Sequence, residues 1–162
     1  IPNPKLLQVR RITKSSTIET EPTLSPDGKQ LALMSDRTGT PQIYRFDMKS
    51  NKLKRITQKG DYNVSPSWSP DGRYIAYSGR RDNVFSIFRI ETKTMEENRV
   101  TPKSINAEGP TWSPDGSLIA FSGKKKGSGD WKIYYSLSSG GEYKRLTKSK
   151  SGFQETSPSW KP

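Results

Sequence analysis

The sequence contains no cysteine and no histidine. Without cysteine there is no disulfide, no thiol nucleophile and no thiolate metal site. Without histidine there is no Ser-His-Asp triad and no imidazole ligand for a metal. No apolar run approaches the roughly 18 residues of a membrane-spanning helix. Apolar residues are scarce overall, at 29% against 27% charged. That is little for one large core. Such a composition also suits disorder, but here the apolar residues recur in register, as in an array of thin units that each bury a little against a neighbour. The absence of cysteine fits the cytosol and a Gram-negative periplasm equally. The chain opens on Ile1 without a Met or a signal peptide, and reads as a mature or excised piece.

What the chain does have is repetition. Pro22-Thr23-Leu24-Ser25-Pro26-Asp27-Gly28 returns as Pro66-Ser67-Trp68-Ser69-Pro70-Asp71-Gly72 and as Pro110-Thr111-Trp112-Ser113-Pro114-Asp115-Gly116. A stump, Pro158-Ser159-Trp160-Lys161-Pro162, closes it. The turn prolines Pro26, Pro70 and Pro114 are 44 residues apart, and Pro162 follows after 48. A fixed period of this size marks an array of supersecondary units.

In the middle repeat, Ser65 to Ser69 is predicted as a short strand A, and Ser69-Pro70-Asp71-Gly72 as a tight turn. Proline presets φ there, aspartate bonds back to the backbone, and glycine accepts positive φ. Tyr74 to Ser78 is strand B, Gly79 to Asn83 a polar loop, and Phe85 to Ile90 strand C. Glu91 to Asn98 turns, and Arg99-Val100-Thr101 belongs to strand D. The triplet Arg-Ile/Val/Leu-Thr recurs at Arg11, Arg55, Arg99 and Arg145. Strand B is a continuous apolar run, as expected of a strand buried on both faces. Four short antiparallel strands per period describe one propeller blade. A sandwich or barrel is the other all-β solution, but neither requires one turn motif at a fixed interval. The predicted fold is therefore all-β, a β-propeller of four-stranded antiparallel blades. Residues 21–64, 65–108 and 109–156 form three repeats. Residues 1–20 supply strand D of a preceding blade (about Leu6 to Thr13), and 157–162 begin the next strand A (about Thr156 to Trp160). Three blades do not close a ring. The expectation is a segment of a larger propeller, completed by further blades in cis or by a second chain.

Ser113-Pro114-Asp115-Gly116, Ile119-Ala120-Phe121-Ser122, Ile133-Tyr134 and Leu146-Thr147, with Arg37-Thr38-Gly39 in the first repeat, resemble the propeller repeats of the TolB family of periplasmic envelope proteins. The resemblance spans nearly the whole chain. It implies a six-bladed parent propeller, a non-catalytic protein-interaction role in the cell envelope, and a protein or peptide partner such as a peptidoglycan-associated lipoprotein. Similar repeats occur in the propellers of prolyl-oligopeptidase-type peptidases, so an accessory, gating propeller of a peptidase is the alternative. The sequence departs from its own pattern at Leu24, which stands where Trp68, Trp112 and Trp160 stand elsewhere, and in a longer third B–C loop, Gly123 to Asp130. Nothing in it resembles the family's α/β domain.

Candidate chemistry is sparse. Asp27, Asp71 and Asp115, with Gly28, Gly72 and Gly116, read as turn residues held apart by the blade spacing, not as paired carboxylates or a metal cage. Gly123 to Gly129 lacks the spacing of a phosphate loop. No catalytic residue, metal ligand or cofactor is predicted. The tryptophans of strand A are expected in blade packing, while Trp131, at the entrance to a strand C, is the expected exposed aromatic. The net charge of +12 invites an anionic partner. In a propeller the D–A and B–C loops share one face and the A–B and C–D turns the other. The first set is net positive, the second net negative. The clustered cations Arg80-Arg81 and Lys124-Lys125-Lys126, with Arg37 and Trp131, are accordingly the predicted docking site for an acidic protein or peptide. Nucleic acid is the weaker reading, because the aromatics fall mainly at blade-core positions.

Overall fold

The computed structural model describes residues 11–160. Among them there are twelve strands in three sheets, ordered β1-β2-β3-β4, β5-β6-β7-β8 and β9-β10-β11-β12. The first blade comprises β1 (Glu19–Leu24), β2 (Gln30–Ser35), β3 (Gln42–Asp47) and β4 (Lys52–Arg55). The second comprises β5 (Asn63–Trp68), β6 (Tyr74–Arg81), β7 (Val84–Glu91) and β8 (Glu97–Arg99). The third comprises β9 (Ile105–Trp112), β10 (Leu118–Lys125), β11 (Lys132–Leu137) and β12 (Tyr143–Arg145). Every neighbouring pair is antiparallel. Each sheet is a four-stranded blade, and the fold is three blades of a β-propeller.

The repeated residues account for the blade. In the Ser-Pro-Asp-Gly turn the serine hydroxyl donates to the aspartate at 2.6–2.7 Å. The same oxygen accepts the first strand-B amide, from Gln30, Tyr74 or Leu118, at 2.9 Å. The aspartate accepts the amide two residues on. Gly116 closes the turn with its amide on Ser113 O at a φ of 72°, a conformation that a side chain disfavours. At the other end, the threonine of the Arg-x-Thr triplet extends the sheet beyond its last backbone pairs. Thr57, Thr101 and Thr147 each accept an amide of strand C, from Ile43, Ile87 and Ile133.

Each innermost strand carries a bulge where its register shifts. The bulged residue precedes a proline and has positive φ: Glu21, Ser65, Gly109 and, in the terminal segment, Ser157. The following proline cannot donate to the ladder, which confines it to an edge strand or a bulge.

The core lies between blades. Ala32, Ile43, Ile56, Trp68, Ile75, Tyr77, Phe88 and Ile90 fill the space between the first and second. Ala76, Ile87, Val100, Ile105, Trp112, Ile119, Phe121 and Tyr134 are among those filling the next. The strand-A tryptophans join blades by hydrogen bonds as well. Trp68 Nε1 donates to Thr23 O (3.2 Å), Trp112 to Ser67 O (3.0 Å) and Trp160 to Thr111 O (3.2 Å). Leu24, at the equivalent place in the first blade, is 53% exposed.

Several boundaries differ from the sequence reading. Gly79, Arg80 and Arg81 are strand, not loop: β6 runs on to a two-residue turn of Asp82 and Asn83 at φ 55° and 60°. Two positive φ values are the backbone of a type I′ hairpin, whose twist lets both strands continue to the turn. β10 likewise runs to Lys125, shortening the third B–C loop. Residues 153–160 form no strand, although Trp160 makes its contact with the third blade. Most of the predicted opening strand D (Leu6 to Thr13) lies outside the described residues. Adjacent Ser-Pro-Asp-Gly turns are also closer than expected. A Cβ on Gly116 would sit 3.6 Å from Pro70 Cδ, so neighbouring turns touch. Among the described residues no cluster of three potential ligands could hold a metal.

Candidate protein-docking face

The D–A and B–C loops meet on one face. Arg80, at the end of β6, binds Asp61 of the preceding D–A loop at 3.0 Å, and Asp82 of the hairpin meets Lys103 of the next D–A loop at 2.6 Å. In the third blade, Asp130 accepts the backbone amide of Gly152 at 3.0 Å.

The predicted cations divide sharply by environment. Arg37 is paired with Glu19, and its guanidinium lies over Tyr44 at 5.2 Å. Arg80, besides Asp61, covers the Tyr62 ring at 5.1 Å. Arg81 is a correction to the sequence reading, because its head is built into the second blade. Its side chain is only 14% exposed. It donates to Asn63 Oδ1 (2.9 Å) and Arg80 O (2.9 Å), lies 3.5 Å from Glu97 and covers Phe88 at 4.6 Å. Glu97 also accepts the Tyr77 hydroxyl at 2.6 Å. Burial, with Glu97 beside it, pushes the Tyr77 phenol far above its usual range. Arg99 sits over the same Phe88 ring at 4.7 Å. Burial and the Arg81 charge lower its pKa. This cluster holds β6, β7 and β8 together and offers no free guanidinium.

The lysine run is different. Lys124 and Lys125 end β10 and Lys126 begins the loop. Lys125 and Lys126 are exposed and Lys124 is half-buried. Lys125 Nζ lies 5.7 Å from the Tyr143 ring. Among the described residues, none of the three lysines is ion-paired. Trp131 is half-buried rather than exposed. Its amide donates to Gln154 Oε1 at 2.8 Å, and its carbonyl accepts the Glu155 amide at 3.0 Å.

Sequence reasoning missed Lys132. It is buried, with Nζ donating to Ser149 Oγ (2.7 Å), Lys150 O (3.1 Å) and Phe153 O (2.6 Å), and 3.8 Å from Glu155. One signal was available. Lys132 stands where Gln42 and Ser86 stand in the other repeats, directly before the strand-C isoleucine. All three are buried polar residues. Gln42 performs the same task, donating to Gly60 O in its own D–A loop at 3.2 Å.

On the opposite face Asp27, Asp71 and Asp115 are consumed by their turns. The Ser113 hydroxyl and the Ser117 amide hold the Asp115 carboxyl down at about 2. The family model described as the TolB beta propeller domain matches residues 3–162. The chain belongs to the TolB β-propeller domain family. Its sequence is 54% identical over 37 residues to the Tol-Pal system protein TolB of Bordetella pertussis (strain Tohama I), covering 23% of this chain and 8% of that protein. Its structure is similar to TolB from Acinetobacter baumannii, with a TM-score of 0.74 and 28% identity over 86% of this chain and 35% of that one. A puromycin-hydrolyzing peptidase of Mycobacterium tuberculosis shares the fold alone, at 16% identity and a TM-score of 0.66 over 82% of this chain and 22% of that one. The chain thus spans about a third of a TolB.

Proposed function

We propose that this chain is a non-catalytic docking module of the periplasmic cell envelope, part of a TolB-type propeller. Its loop face receives an acidic protein or peptide, such as a peptidoglycan-associated lipoprotein. The observation that carries the reading is the contrast on one face between Arg37, Arg80 and Arg81, which are ion-paired, and Lys124, Lys125 and Lys126, which have no ion pair among the described residues. Unpaired surface charge speeds encounter with an oppositely charged partner and makes the rate salt-sensitive. The sequence has no histidine and no cysteine, and Asp27, Asp71 and Asp115 are bound in their turns.

The test is the association rate of an acidic partner domain with the triple variant Lys124→Glu, Lys125→Glu, Lys126→Glu. The rate should fall about tenfold or more at low salt, and its salt dependence should largely vanish. An unchanged rate places docking elsewhere. Tighter binding of a single-stranded oligonucleotide than of the acidic protein would overturn the reading in favour of a polyanion site.

A further inference from the structure

Among the described residues, the loop face also contains one carboxylate without a partner. Glu19 pairs with Arg37, Asp61 with Arg80, Asp82 with Lys103, and Glu155 with Thr147 and Lys132. Asp36 accepts the Ile18 amide, and Asp130 accepts the Gly152 amide. Glu108, in β9, has neither a cation nor a hydrogen-bond donor among the described residues. It sits at the strand-A bulge, directly before Gly109 and opposite Ser122. Burial alone acts on it, raising its carboxyl above the ordinary range.

Glu108 borders a depression of about 220 Å³ that Trp131, Ser65, Ser122, Thr156 and Ser157 also line. Most of the polar groups of this wall are already used. Ser65 donates its amide and hydroxyl to Glu21, and Ser122 Oγ accepts the Ser157 amide at 3.0 Å. Trp131 is anchored through its backbone to Gln154 and Glu155. What remains is one half-desolvated carboxylate and the Trp131 side chain in the same depression.

We propose that Glu108 and Trp131 form a socket for a single lysine or arginine side chain of a docked peptide. A half-buried charge without a counterion is unfavourable, and an entering cation relieves it through a charge-assisted hydrogen bond. An aromatic face attracts the same cation and packs against its methylene stem. The volume is below the roughly 300–1,000 Å³ of small-molecule sites, and suits one side chain. A lone carboxylate is a poor calcium site, since calcium takes about six to eight oxygens. The partner is thereby given a mixed character: acidic where it meets Lys124 to Lys126, with one basic anchor that enters the socket.

The socket rests on the docking reading only in taking its ligand to be a peptide side chain, so the two are tested separately. N-acetyl-arginine amide and N-acetyl-lysine amide are titrated into the 162-residue chain, with the Trp131 indole N–H followed by NMR and assigned through Trp131→Phe. Both should shift that resonance, while N-acetyl-norleucine amide should bind about tenfold more weakly or worse. Glu108→Gln, with its amide spectrum showing an intact fold, should weaken the charged probes about tenfold or more. The triple lysine-to-glutamate variant should bind the probes at least as well as the parent chain, so loss of the docking face leaves the socket readable. Equal affinity for norleucine amide, or unchanged binding by Glu108→Gln, overturns the proposal. So does calcium chloride moving the same resonance at lower concentration than either cationic amide.

Discussion

Replacing Trp112 by leucine tests how the blades are held together. Trp112 is 7% exposed and lies in the core between the second and third blades. It stacks on Tyr74 at 6.2 Å, and its Nε1 donates to Ser67 O across the blade interface at 3.0 Å. Leucine removes the donor and leaves the part-buried Ser67 carbonyl without this partner, a loss of about 1–3 kcal/mol. Shrinking the ring adds a packing loss. Truncation of a buried Trp to alanine costs about 3–5 kcal/mol, and leucine refills part of that volume, leaving about 1–2 kcal/mol. The total is about 3 kcal/mol, a large share of the roughly 5–15 kcal/mol of a typical domain. Trp112→Phe keeps the stacking and loses the hydrogen bond, so its loss should be about half as large. The chain contains its own control. Leu24 occupies the equivalent position with no blade packed against it among the described residues and is 53% exposed, so Leu24→Ala should stay within about 0.5 kcal/mol. Urea denaturation, monitored by far-UV circular dichroism, measures all three through the midpoint at constant slope. A loss below about 1 kcal/mol for Trp112→Leu, or an equal loss for Leu24→Ala, would refute the view that the strand-A tryptophan is the inter-blade fastener.

Further outcomes follow from single contacts. Gly123→Ala should destabilise by about 1–3 kcal/mol through overpacking, because its Cβ would lie 2.6 Å from Tyr134 Cδ2 and 2.7 Å from Ile105 Cδ1; thermal melting checks this. The Asp115 carboxyl, held at about 2 by Ser113 and Ser117, should titrate higher in Ser113→Ala when followed by carbonyl NMR. Since its folded pKa is depressed, its contribution to stability is full above the ordinary carboxylate range and is lost as pH falls toward about 2. Glu108 has the opposite sign. Its folded pKa is raised by burial, so Glu108→Gln should match the parent chain in strongly acidic solution and become the more stable of the two as pH rises through the carboxylate range, measured by urea midpoints across pH.

How much was legible in the sequence depended on the range of the interaction. The Ser-Pro-Asp-Gly turn is decided within six residues: Ser113, Asp115 and Gly116 bond only to one another and to Ser117 and Leu118. Such local chemistry reads directly from sequence; its fixed period carried the blade and the strand order, and the motif residues carried the resemblance to the family. The repeat also put the strand-A tryptophans in blade packing, while their bonds to the Thr23, Ser67 and Thr111 carbonyls appear only in the folded chain. Hairpin ends were less visible. Gly79, Arg80 and Arg81 look polar enough for a loop, yet the two-residue turn at Asp82 and Asn83 keeps them in the ladder.

The charged residues of the loop face mark the limit. Sequence could place Arg81 and Lys124 on the same face and count both as free. Only the folded chain brings Asn63, Glu97 and Phe88 around Arg81, while Lys124 to Lys126 have no counter-charge among the described residues. It likewise buries Lys132 as a staple and isolates Glu108 beside Trp131. The physical reason is one of distance. Blade geometry comes from short-range backbone and turn chemistry repeated in register, so the sequence by itself determined it. Whether a charge is spent or available depends on contacts between segments distant in sequence and on how much water they exclude, and these exist only once each blade has folded.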